Sequence, residues 1–178
     1  MGGKILKRIE EEQRVSEKIL RYIPGYKGYK QKEIRRETDR LVRSKVAAFV
    51  ESSRKKLDRA LGAATKERVD ERARKIDRLS KELAMLAGKI RHAPHGYAGL
   101  FDAIKVREEE LDNLVEFDAS LTELSRKVDE TCRSALSAAE RGKFDELDEA
   151  LDQVDELTGR MEEMLSRRDE TLLGIGGD

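Results

Sequence analysis

The chain has 178 residues, and its 37 Lys and Arg balance 37 Asp and Glu, so the formal charge is zero. Charged residues make up 42% of it and aromatic residues only 4%, with two Pro, one Cys and no Trp. A disulfide scaffold is excluded, a two-layer β fold lacks its usual residues, and no apolar run reaches the roughly 18 residues of a membrane span.

Glu, Lys and Arg mixed with Leu and Ala form the composition of long helices. The length predicts one domain over 1–178. A first helix is predicted over 4–22, with Ile5, Ile9, Val15 and Ile19 on one stripe. Pro24 and Gly25 end it, and 23–30 reads as a loop. A second helix follows over 32–61, with Ile34, Leu41, Val42, Phe49, Val50, Leu57 and Leu61 inward and Gly62 as its stop. The third, over 65–91, carries Val69, Ile76, Leu83 and Ile90 seven apart, with Ala73, Ser80 and Ala87 four residues further on. Such a narrow seam of small residues lets a neighbouring helix approach closely.

Residues 92–103 read as a second loop. The fourth helix, over 104–140, has the seam Leu111, Leu114, Leu121, Val128, Cys132 and Ala135, with Asp118 at one seam position. Asp118 there sets register, bonds a Tyr or a base, or faces water. Gly142 breaks the chain, and a fifth helix over 144–172 turns Phe144, Leu147, Leu151, Val154, Met161, Leu165 and Leu172 inward, leaving a frayed tail at 173–178. Short links favour antiparallel neighbours. The expected fold is all-α: an elongated antiparallel, coiled-coil-like bundle of four long helices with the short first helix alongside. An open hairpin that completes its thin core by dimerising is the alternative. Only four amides, Asn113, Gln13, Gln31 and Gln153, among so many ionic residues point to a thermophilic source.

Zero net charge hides a division. Residues 1–93 hold 27 basic and 14 acidic side chains, and residues 94–178 hold 10 and 23. The two halves either attract each other within one bundle, pair between chains, or leave a basic half for nucleic acid or a membrane surface. The acidic half opposes phosphate binding, and no nucleic-acid reader motif is visible.

The two loops match. Gly25-Tyr26-Lys27-Gly28-Tyr29 and Gly96-Tyr97-Ala98-Gly99-Leu100 share Gly-Tyr-x-Gly-(large apolar), each with a Pro upstream, 71 residues apart. The spacing suggests duplication of a helix–loop–helix unit. In an up-down bundle both loops lie at one end. That pole would gather Tyr22, Tyr26, Tyr29, Tyr97, His92, His95 and Phe101, with Lys27, Lys30 and Arg91 adding positive charge. As a partner-binding pole, Tyr offers an apolar body with a polar tip, and Gly admits a partner's backbone. As a structural plug, the rings seal the bundle and Gly supplies turn geometry.

No other constellation carries chemistry. His92 and His95 form a pair, but zinc needs three or four ligands, so no metal or cofactor is expected. The acidic run from Asp145 to Glu156 has no Gly-turned calcium loop and reads as a solvated face. Cys132 reads as a buried small hydrophobe. No phosphate loop, dinucleotide fingerprint or nucleophile elbow is present, so no catalytic residue is assigned. Lys4, Lys7 and Arg8 beside Ile5, Leu6 and Ile9 suit an anionic membrane surface, opposed by Glu10-Glu11-Glu12.

Tyr22–Arg36 and Gly96–Asp118 resemble a family of prokaryotic all-helical proteins that share a PGYxGYK loop and a later GYxGLFDAxK loop. That resemblance implies a helical fold and no activity or cofactor. The expectation is a cytoplasmic, non-enzymatic scaffold or adaptor, at most peripheral to a membrane. It would self-associate or bind a protein partner through the Tyr-rich pole. The alternative is an anionic membrane-surface or nucleic-acid binder using the basic N-terminal half.

Overall fold

The computed structural model describes residues 14–27 apart from residue 16, then 35–65, 71–92 and 108–175, with side chains given over 37–65, 71–92 and 112–167 of the later stretches. Among these residues the protein is a helical bundle without strands. Residues 14, 15 and 17–22 belong to α1. Four longer helices follow: α2 (Arg35–Ala64), α3 (Glu71–Arg91), α4 (Glu108–Glu140) and α5 (Phe144–Ile175).

The ends have local causes. The Tyr26 amide donates to the Ile23 carbonyl at 3.2 Å, and Gly25 has φ +87°. Pro then Gly in the middle of that turn is the residue order of a type II turn, which needs positive φ at the second site. After α4 the Gly142 amide donates to Ala139 and the Lys143 amide to Ala138, with Gly142 at φ +67°. That pair of bonds is a Schellman cap, and Gly supplies its left-handed residue. Gly62 is not a stop, because α2 runs through it to Ala64. Thr65 ends the helix instead, its amide and hydroxyl both donating to the Leu61 carbonyl. One exposed Gly costs a helix only about 1 kcal/mol, which tertiary packing overrides. Helix α5 continues to Ile175, three residues into the expected tail.

By contacts the chain divides into two compact units. One is drawn from Met1–Lys45, Pro94–Thr122 and Met164–Asp178, the other from Val46–Ala93 and Glu123–Glu163. In the second unit the α3 seam is buried as its spacing requires: Ala73, Ile76, Ser80, Leu83, Ala87 and Ile90. Facing it are Val46, Val50 and Leu57 of α2, Val128, Cys132 and Ala135 of α4, and Leu147, Leu151, Val154 and Met161 of α5. Phe144 departs from expectation. It is 41% exposed, and the Arg72 guanidinium lies 4.7 Å from its ring centre. At the first turn of α5 the ring covers a cation rather than the core. Leu41, Phe49, Leu61 and Leu165 are only partly buried. Ile5, Ile9, Ile34 and Val69, with the side chains of Leu111 and Leu172, lie outside the described residues.

Hydrogen bonds and ion pairs between helices give their directions in this unit. Ser80 on α3 donates to Asp58 on α2 at 2.5 Å, each near the same distance from the intervening connection, so α2 and α3 are antiparallel. Arg72, Lys75, Arg78 and Lys89 on α3 meet Asp148, Asp152, Asp155 and Glu162 on α5 in ascending order. Lys56 and Arg59 on α2 meet Asp129 and Glu140 on α4 in the same sense. Each hairpin is therefore antiparallel within itself, and the two hairpins lie side by side pointing the same way. In this unit all four long helices contribute to one core, as the bundle reading expects.

Burial repeats accordingly. Buried Val46, Val50, Ser53 and Leu57 on α2 recur 75 residues later as Leu121, Ser125, Val128 and Cys132 on α4. Ile76, Leu79, Leu83 and Leu86 on α3 recur at the same interval as Leu151, Val154, Thr158 and Met161 on α5. Two parallel hairpins sharing one core must turn the same faces inward.

Candidate functional site

Of the predicted pole, Tyr22, Tyr26 and Lys27 lie in the first unit, and Arg91 and His92 in the second. Tyr29, Lys30, His95, Tyr97 and Phe101 lie outside the described residues. Tyr26 is buried, as are Ile19 and Ile23. Tyr22 is half-buried, while Lys27, Arg91 and His92 are exposed. The type II turn thus fastens Tyr26 inward and presents Lys27 outward, one residue apart.

Cys132 is fully buried. Burial pushes its thiol up to about 12, and the Asp129 charge adds to this, with Lys56 and a hydrogen bond to Ser53 opposing. A thiol held neutral is no nucleophile. Around it runs a part-buried polar chain. Lys56 Nζ donates to Ser52 Oγ at 2.7 Å and to Asp129 Oδ1 at 2.5 Å, and Arg133 reaches Asp129 at 3.7 Å. This chain holds α2 to α4.

Asp118 is fully buried, which removes the water-facing reading, and its backbone carbonyl accepts the Thr122 hydroxyl at 2.6 Å. In the first unit an open cleft of about 230 Å³ lies between α4 and α5, lined by Asn113, Glu116, Phe117, Ser120 and Met164. Among the described residues no group of three or more His, Cys, Asp or Glu side chains is placed to hold a metal ion. No helix among them is long and apolar enough to cross a membrane.

No protein-family model matches the chain, and no curated protein or solved structure is similar to it.

The acidic run on α5 is more than a solvated face, since Asp148, Asp152 and Asp155 each bind a base of α3. Arg78 donates to both Asp155 and Glu82. Its guanidinium holds the Asp155 carboxyl below the usual range, and the two acids raise the Arg78 pKa in turn. The signal for these pairs was present in the sequence as opposite charge on the two halves. Which acid meets which base needed the parallel register.

Proposed function

We propose that this protein is a non-enzymatic helical scaffold or adaptor that self-associates or binds a protein partner through its Tyr/Gly-rich loops. The observation that carries this reading is the first loop. Gly25 takes the left-handed conformation, Tyr26 is buried as an anchor, and Lys27 stands exposed beside it. A loop pinned by one ring presents its neighbours with little ordering cost on binding, which favours recognition.

The test separates the anchor from the contact residues. Lys27→Ala with Tyr29→Ser and Tyr97→Ser is expected to abolish self-association, read by sedimentation velocity, or recovery of a partner then re-tested as purified protein. Tyr26→Phe retains the buried ring and is expected to leave association intact. Unchanged association in the triple variant, with helicity preserved by circular dichroism, refutes the reading.

A further inference from the structure

Helices α2 and α4 each run through both units, and their buried side chains change character along the way. Over 37–45 of α2 the buried side chains are Thr38, Asp39 and Val42, whereas over 46–64 five of six are apolar. Over 112–122 of α4 they are Leu114, Asp118, Leu121 and Thr122, whereas over 123–140 seven of nine are apolar. Each first-unit segment thus encloses one carboxylate, Asp39 at 1% exposure and Asp118 at 0%.

Asp129, the buried carboxylate of these helices in the second unit, is held differently. Its base is Lys56 of α2, so that pair ties two helices together. Asp39 accepts from Arg43 Nε at 2.7 Å, four residues along its own helix. This pair keeps its geometry when α2 moves away from its neighbours. The Thr122 hydroxyl likewise stays within α4, donating to the Asp118 carbonyl.

We propose that the first-unit ends of α2 and α4 open together while the second unit stays packed. Taking a carboxylate out of water is costly even when it is paired, and the cost is recovered when water reaches it. Against that recovery, opening 112–122 uncovers only Leu114 and Leu121 as buried apolar side chains. Proteins open in such cooperative units, and binding segments come from their least stable parts. The two segments are the ends of α2 and α4 nearest in sequence to the two Gly-Tyr loops. Opening therefore governs how those loops are presented. That last step rests on the loops being binding segments, and the opening itself does not.

Hydrogen exchange of the full chain, read by mass spectrometry without any partner, tests the opening. After correction for intrinsic rates, amides of 39–45 and 115–122 should exchange at least about tenfold faster than those of 50–60 and 126–138. Asp118→Leu should slow exchange over 115–122 by about tenfold and leave 126–138 within about twofold. Asp118→Asn keeps the size and removes the charge, and should slow the same segment if Leu does not fit. Asp39→Leu is the corresponding variant for 39–45. Equal protection on the two sides of the unit boundary overturns the proposal. So does faster exchange over 115–122 in both Asp118 variants, which would make the carboxylate a fastening. Unchanged rates in all three variants overturn it too, because simple fraying of helix ends does not depend on a buried charge. Association of the loop variants is a separate readout, so the two readings fail independently.

Discussion

Asp129 is the residue on which the α2–α4 contact turns. It is 6% exposed and holds Lys56 at 2.5 Å, while Lys56 also reaches Ser52. Removing one partner of a buried pair leaves the other charge without compensation, so Asp129→Ala is expected to lower unfolding free energy by about 3 kcal/mol in urea titrations. Replacing both, Lys56→Met with Asp129→Leu, should cost less than about 1 kcal/mol, since well-packed apolar residues can stand in for a buried pair. Cys132 gives a second prediction. With its thiol pushed up to about 12 and fully buried, it should not react with a disulfide reagent at neutral pH until the protein unfolds. Labelling rates with and without denaturant check this.

Helix α3 shows how an amphipathic pattern divides its labour. Its apolar seam faces the core, and Leu83→Ala there is expected to cost about 2–5 kcal/mol, read by chemical denaturation. Its basic flank faces α5. Exposed pairs are individually worth about 0–1 kcal/mol, so a single Asp155→Asn should be mild. Their joint effect is pairing choice. Acid should expose it. Asp155, Glu51 and Glu146 carboxyls are lowered, each first by a hydrogen bond from a base, Arg78, Arg54 and Lys143 respectively. The folded state then holds fewer protons than the unfolded chain. Stability from these groups is present above the ordinary carboxylate range and is lost as pH falls through the lowered values. Thermal unfolding followed from pH 7 down to about pH 3 should show a falling midpoint, with less of the fall in Asp155→Asn.

Across the helices of the second unit, bases of one hairpin meet acids of the other, and their joint effect is expected to favour this pairing and direction. Reversing three α3 bases, Arg72→Asp, Lys75→Asp and Arg78→Asp, places like charges along α5 and should lower the melting midpoint by about 5–10 °C. Adding Asp148→Arg, Asp152→Lys and Asp155→Arg should recover most of that loss. Recovery by the compensating set would separate pairing from helix propensity, because propensity is unchanged by the order of charges.

Much of this was legible in the sequence. Seven-residue spacing located the seams of α3 and α4, including Cys132 and the buried Asp118, because burial on a helix must follow its turn. The Pro-Gly turn and the Gly142 cap were equally local. Gly62 and Phe144 were not. A helix continues through a Gly when its neighbours are packed, and a ring at a helix start can cover a guanidinium instead of entering the core. Of the candidate pole, sequence named Tyr26 and Lys27 together, and only folding separated the buried ring from the exposed base. The sequence by itself determined the helices, their inward faces and the opposed charges of the two halves, all consequences of short-range geometry and composition. Tertiary structure alone decided the parallel register of the hairpins. That register depends on pairs more than 70 residues apart, which no local rule can choose. It sets bases of residues 46–93 against acids of the other hairpin.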